Sequence, residues 1–197
     1  MPKHSGDDPY TDPASGVLRN RLGITDATLL EATEADFVAE RSRELSREPI
    51  AGGFDLAHLQ AIHRYLFGDV YEWAGELRTI DISKGGHPFA HYPHIQSAAV
   101  PIFHQLAQEK HLAGLGPDGF SERAAYYLGE LNGLHPFREG NGRAQREFIS
   151  HLARNTGYYI AWENMTRAEM LEASLEAHKG DTWKFAALIR PNLHPSS

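Results

Sequence analysis

The sequence predicts an all-α fold, six or more helices around a central pair, with one β-hairpin. Three observations carry this. Apolar residues recur three and four apart through most of the chain, which is the helix period. Helix-start signals stand ahead of several such stretches. Only residues 78–92 alternate and then turn as a hairpin does.

Residues 1–16 read as an extended N-terminal arm, because Asp8-Pro9 and Asp12-Pro13 disfavour helix and Tyr10 can pin the arm to the body. The domain proper is expected over 17–190, with its core at about 55–160. Residues 17–24 are too short to assign. A helix over 26–46, capped by Thr25 or Asp26, has a weakly apolar face of Leu30, Thr33, Phe37 and Leu45, and its acidic run reads as solvated surface. Asp55 caps a second helix to about Phe67, with Leu59, Ile62 and Leu66 on one face. Tyr71 and Trp73 read as core residues under a loop. In the hairpin, RTIDI is one strand, Lys84-Gly85-Gly86 the turn and PFAHY the return.

Residues 94–112 predict a long helix in which Pro101 gives a kink or a late start. Two helices follow at 121–134, with Ser121 as N-cap, and at 142–155. YYIAW reads either as a core strand or as packing for a nucleotide base. Thr166 and Glu169 form a capping-box signature for the next helix. DTWKFAALIR makes a short last one, ended by Pro191. Residues 191–197 should fray.

Composition sets outer bounds. A chain of 197 residues, 41% hydrophobic, buries one sizeable core, with two small lobes as the alternative. A net charge of −7 argues against a general nucleic-acid binder, leaving room for a local basic site. The absence of Cys removes disulfide and thiolate chemistry and fits a reducing cytoplasm. No signal-peptide core or run of about 18 apolar residues is present, so no membrane span is expected. His87, His91 and His94 are spaced for one zinc, but Pro88 and Pro93 break the helix that would align them.

The chemistry concentrates in residues 135–146, HPFREGNGRAQR, a loop between the two central helices. Gly140 and Gly142 flank Asn141 where the second helix begins. Glycines there let backbone approach a ligand, and a helix N-terminus offers N–H groups to an anion. Arg143 and Arg146 rise from about one face of the first turn and suit a di- or triphosphate. His135 can act as a general base near neutral pH. Glu139 is a hard oxygen ligand of the kind that, with substrate phosphates, holds Mg²⁺. Phe137 should anchor the loop in the core.

These twelve residues resemble the full Fic-family signature, His-x-Phe-x-(Asp/Glu)-Gly-Asn-Gly-Arg-x-x-Arg, at all eight defined positions. The flanking helices, YEWAGELR and FAHY extend the likeness over most of the chain. The resemblance implies the Fic fold and a protein adenylyltransferase that moves AMP from ATP to a Tyr, Ser or Thr hydroxyl of a target protein and releases pyrophosphate. It implies His135 as the base, Glu139 as the Mg²⁺ ligand, and Gly140, Asn141 and Gly142 as the phosphate cradle. Arg143 and Arg146 would bind the β- and γ-phosphates. Lys84, Gly85, Gly86 and Phe89 would lie in a flap that docks the target.

The inhibitory-helix pattern (Ser/Thr)-x-x-x-Glu-(Gly/Asn), carried by many Fic proteins, is absent. The nearest match, Glu163-Asn164, has Tyr159 where Ser or Thr is needed. The likeness is therefore to bacterial cytoplasmic toxins whose separate small antitoxin pairs a glutamate with Arg146. DNA gyrase and topoisomerase IV subunits are the first candidate targets. Three alternatives stand beside this reading. A Doc-like kinase carries Lys where this chain has Gly142. A metal-dependent phosphohydrolase would need more carboxylates near His135 and Glu139. The last is an inactive interaction module.

Overall fold

The computed structural model describes residues 8–84 and 86–196, and it is mostly helical, with seven α-helices among these residues. α1 (Ala27–Arg47) starts where the Asp26 carboxylate accepts the Leu29 N–H. α2 (Leu56–Phe67) starts in the same way on Asp55. α3 (Ile95–Gln108) runs on through Pro101 and stops short of 112 because Lys110, His111 and Leu112 all take positive φ. α4 (Pro117–Leu134) begins four residues before Ser121. Pro117 is its preformed first residue, and the buried Ser121 hydroxyl donates to the Pro117 carbonyl rather than capping. α5 (Asn141–Asn155) follows the signature loop. α6 (Arg167–His178) opens with the Thr166/Glu169 capping box, and α7 (Trp183–Ile189) closes the helical part.

α5 is central, packed on α2 to one side and α4 to the other. Its Ala144, Phe148, Ile149 and Leu152 are fully buried against Leu59, Leu66, Leu128 and Leu131. Each large side chain so buried contributes about 1.5–3 kcal/mol. One hydrophobic cluster reaches from Val17 to Leu193, so the described chain has a single core and no second lobe. No helix among the described residues is long and apolar enough to cross a membrane.

The strands depart from expectation. The hairpin is short: β1 (Ser83–Lys84) pairs antiparallel with β2 (His87–Pro88), and residues 78–82 are not strand. The described residues of the tail, 191–196, are held and do not fray. β3 (Tyr158–Ile160) pairs with β4 (Leu193–Pro195), the Ser196 N–H reaches the Gly157 carbonyl, and Leu193 is buried. The apolar Leu193 and the backbone ladder together hold what polarity alone suggested was loose. β3 packs on the far end of α5, about 20 Å along the axis from its first turn. That favours the strand reading of YYIAW over a base pocket.

The arm is folded back rather than extended over residues 8–16. Two successive turns are joined by a Thr11–Leu18 bridge. Tyr10 is buried edge-on to Trp73, and its hydroxyl meets Thr79.

Candidate active site

The loop between α4 and α5 is held from both ends. α4 stops at Leu134 because His135 turns left-handed, at φ 44 and ψ 61. The Leu131 carbonyl then accepts both the His135 N–H at 2.9 Å and the Gln145 amide from α5 at 2.9 Å. Asn141 closes the loop from inside. Its Oδ1 accepts the Phe137 N–H at 2.9 Å, and its Nδ2 donates to the Phe137 carbonyl at 2.8 Å. Both ends of that amide are thus engaged with the Phe137 peptide, and Asn141 is 3% exposed, so its part in the loop is to hold it closed. Phe137 is fully buried and stacks on His63 at 3.8 Å.

His135 Nδ1 lies 3.2 Å from the Asn132 carbonyl. A carbonyl only accepts, so Nδ1 carries the proton and Nε2 keeps its lone pair. The ring stacks face-on against Phe89 of the flap, centroids 3.7 Å apart and planes within 9°. Burial pushes this imidazole down to about 3; Lys84, Arg78 and His178 add to the shift and the Asn132 carbonyl opposes it. At neutral pH it is the uncharged, proton-accepting form.

The two glycines differ. Gly140 has φ +79, and a Cβ there would stand 2.3 Å from the Phe67 ring. Gly142 is ordinary helix, and a Cβ would meet only Arg146 Nη1 at 4.0 Å. The fold therefore requires glycine at 140, while at 142 the open space faces outward. The Arg143 and Ala144 N–H groups both go to the Gly140 carbonyl at 3.1 Å, which leaves the Asn141 and Gly142 N–H groups as the first-turn donors that could meet an anion there.

Glu139 is half-exposed; its Oε1 accepts the Gly140 N–H at 2.9 Å and lies 3.9 Å from Arg143. The two arginines are held differently. Arg143 is drawn toward α1, 2.5 Å from Glu34 and over the Phe67 ring. Arg146 stays beside Gly142, with no carboxylate within 4.0 Å among the described residues. Burial, and the neighbouring Arg143, lower the Arg146 pKa. A guanidinium held without an acid beside an outward-facing helix start is a ready anion site.

Several residues that build the site were not picked out from sequence. Glu34 belongs to the run read as solvated surface, yet it is 5% exposed, pairs with Arg143 and accepts the Tyr71 hydroxyl. Its signal was its place on the buried stripe between Leu30 and Val38. His63 continues the Leu59 stripe; Nδ1 accepts the Gly75 N–H and Nε2 donates to the Glu139 carbonyl. Arg138, at a variable position of the signature, pairs with Asp8 at 2.7 Å and so ties the arm to the loop. Of the flap residues, Phe89 covers His135, Lys84 is exposed in β1 and Gly86 turns at φ +83. Gly85 lies outside the described residues. His87 faces His178, while His91 binds Asp81.

The Fic/DOC family model matches residues 53–153. This chain belongs to the Fic/DOC family. It is 55% identical to protein adenylyltransferase VbhT of Bartonella schoenbuchensis over 194 residues, 98% of this chain but 41% of that protein. It is 38% identical to the probable protein adenylyltransferase Fic of Escherichia coli K12, covering 89% of this chain and 87% of the relative. BepC of Bartonella tribocorum, solved with bound AMPPNP, superposes with TM-score 0.87 at 29% identity over 95% of this chain and 97% of that one. An ADP-bound Fic domain from Bartonella quintana gives 0.88 at 30% identity, over 95% of both chains. The long first helix, the flap and the signature loop described above are thus parts of a Fic domain.

The burial of His63 predicts an acid sensitivity for this Fic domain. His63 is fully buried, and burial pushes it to about 4. An unfolded chain takes up the proton near 6.5, so it binds more protons than the native state between the two values. Stability should therefore fall as pH drops from about 6.5 to about 4, by on the order of 3 kcal/mol from His63. Urea midpoints measured across that range check it, and His63→Gln should flatten the slope.

Proposed function

We propose that the chain is a protein adenylyltransferase. One observation carries the reading: a single loop sets a neutral imidazole beside an outward-facing helix N-terminus flanked by an unpaired guanidinium. ATP would lie with its phosphates on the N–H groups of the first turn of α5. A target hydroxyl would approach past the edge of Phe89 and attack the α-phosphorus in line. His135 Nε2 would accept its proton. Pyrophosphate would leave toward Arg146, with Arg143 completing the positive rim. Positioning and charge stabilisation do the work, as in phosphoryl transfer generally.

Glu139 fits a Mg²⁺ site. It is a single accessible carboxylate, and one carboxylate plus substrate phosphates is a common Mg²⁺ environment. The ion would supply charge neutralisation at the phosphates. Arg146 also fits the carboxylate of a separate small antitoxin, since a partly buried guanidinium without an acid gains from either anion. A toxin acting in the bacterial cytoplasm on a gyrase or topoisomerase IV subunit remains the proposed setting.

The test uses ATP labelled separately at the α- and γ-phosphates, with Mg²⁺ and a bacterial lysate. Label should reach protein from the α position only and identify the target by mass. Label from the γ position only would establish the Doc-like kinase reading. No transfer from either would leave the inactive module.

A further inference from the structure

Arg78 is the largest fully buried side chain among the described residues, yet it lies in none of the signature positions. Its three guanidinium nitrogens reach three carbonyls on separate stretches of chain. Nε donates to His135 at 2.8 Å, Nη1 to Ile80 at 2.8 Å, and Nη2 to Ala90. Its own backbone N–H donates to Pro136 at 2.9 Å. Its nearest carboxylate, Asp81, stands 3.7 Å away and half-exposed, and is already bonded to His91 and the Tyr92 N–H. A buried cation satisfied by carbonyls rather than by an acid is costly to keep.

Those carbonyls show what is gained. Ile80 and Ala90 are the outgoing and returning limbs of the flap. The flap is closed by Phe89 N–H to Ile82 at 3.2 Å and docked by Ala90 N–H to Gly133 at 3.1 Å. His135 is left-handed at φ 44, a conformation that favours glycine and needs restraint for any other residue. One rigid fork thus sets the flap, whose Phe89 lies on the imidazole, and the backbone that carries the imidazole. We infer that Arg78 is a positioning residue that couples the target-docking flap to His135, so that flap register and base orientation are fixed together. The inference takes from the proposed adenylyl transfer only the naming of His135 as base.

Lysine at this position keeps the charge but cannot present three diverging donors in one plane. Arg78→Lys is therefore the decisive variant, with Arg78→Met beside it. The first readout needs no target: the His135 Hε1 proton resonance, displaced in the wild type by the ring current of stacked Phe89. In Arg78→Lys it should move toward the free-histidine position, and the Phe89 and Ala90 amides should exchange about tenfold faster or more. ATP affinity should stay within about twofold, and label transfer from α-labelled ATP to lysate protein should fall roughly 100-fold, the scale of an ångström of misplacement. A folded Arg78→Lys with wild-type His135 resonance and wild-type transfer overturns the inference, whatever its melting temperature. Should both variants fail to fold, native-state hydrogen exchange of the wild type decides: coupling requires the Arg78, Phe89 and Ala90 amides to share one opening free energy, and independent opening refutes it. A wild type that transfers no label defeats the adenylyl-transfer reading alone, because resonance and exchange still report the coupling.

Discussion

Replacing His135 with alanine is expected to lower AMP transfer by about two to four orders of magnitude, the range for a positioned acid–base group, while ATP binding stays within about twofold. The separation follows from where the contacts lie. The imidazole is committed at Nδ1 to Asn132 and on one face to Phe89, leaving Nε2 as its reacting atom. The proposed anion-binding features belong to other residues, those of the first turn of α5 and Arg146. Removing the ring should leave Asn141 and Gln145 holding the loop, since neither bonds to it. Calorimetric titration with ATP, alongside transfer from α-labelled ATP, checks both halves. A variant that loses ATP binding and transfer together would place His135 in nucleotide binding instead.

The same residue sets the pH profile. A free histidine would give kcat/KM an ascending limb near 6.5. With burial holding His135 down to about 3, the free enzyme already has a neutral base well below neutrality. The profile should be flat from about pH 6 to 8 on the acid side. The three nearby cationic or histidine side chains, Lys84, Arg78 and His178, all act in the same direction, so Lys84→Glu should move the base upward.

Much of this site was legible because it is compact in sequence. Twelve residues carry the imidazole, the carboxylate, the two glycines and the two arginines, and one helix start fixes their order. The helices were legible for a similar reason: Asp26, Asp55 and Thr166 mark starts that three-dimensional packing did not move. The rest depends on distant pairings. Glu34 meets Arg143 across 109 positions and Asp8 meets Arg138 across 130. A glutamate in an acidic run reads as solvated until the helix that faces it is known. The tail failed for the mirror-image reason, since a polar, proline-bearing end reads as loose until β3 supplies a ladder. Arg78 gave no periodic signal at all, because its partners are backbone carbonyls and any sequence supplies those.

Gly140→Ala and Gly142→Ala should part company, and the contrast separates what the fold requires from what the ligand requires. At Gly140 a Cβ meets the Phe67 ring at 2.3 Å, and φ +79 is already unfavourable for alanine. Left-handed backbone costs roughly 1–2 kcal/mol for a side-chain-bearing residue, and overpacking a buried ring costs about 1–3 kcal/mol more. Phe67 is itself fully buried and stacked on His63, so it cannot yield without disturbing the carbonyl of Glu139. Gly140→Ala should therefore lose about 2–5 kcal/mol of stability, seen in urea or thermal melts. At Gly142 the backbone is helical and a methyl group has room. Alanine is the better helix former by about 1 kcal/mol in a helix interior, so Gly142→Ala should melt no lower than the wild type. Its methyl would occupy the space where a phosphate must approach the first-turn N–H groups and Arg146. ATP affinity should fall at least about tenfold, or about 1.4 kcal/mol, in a protein of undiminished stability. A Gly142→Ala variant that binds ATP normally would move the phosphates off the first turn of α5, and with them the direction in which the leaving group is proposed to depart.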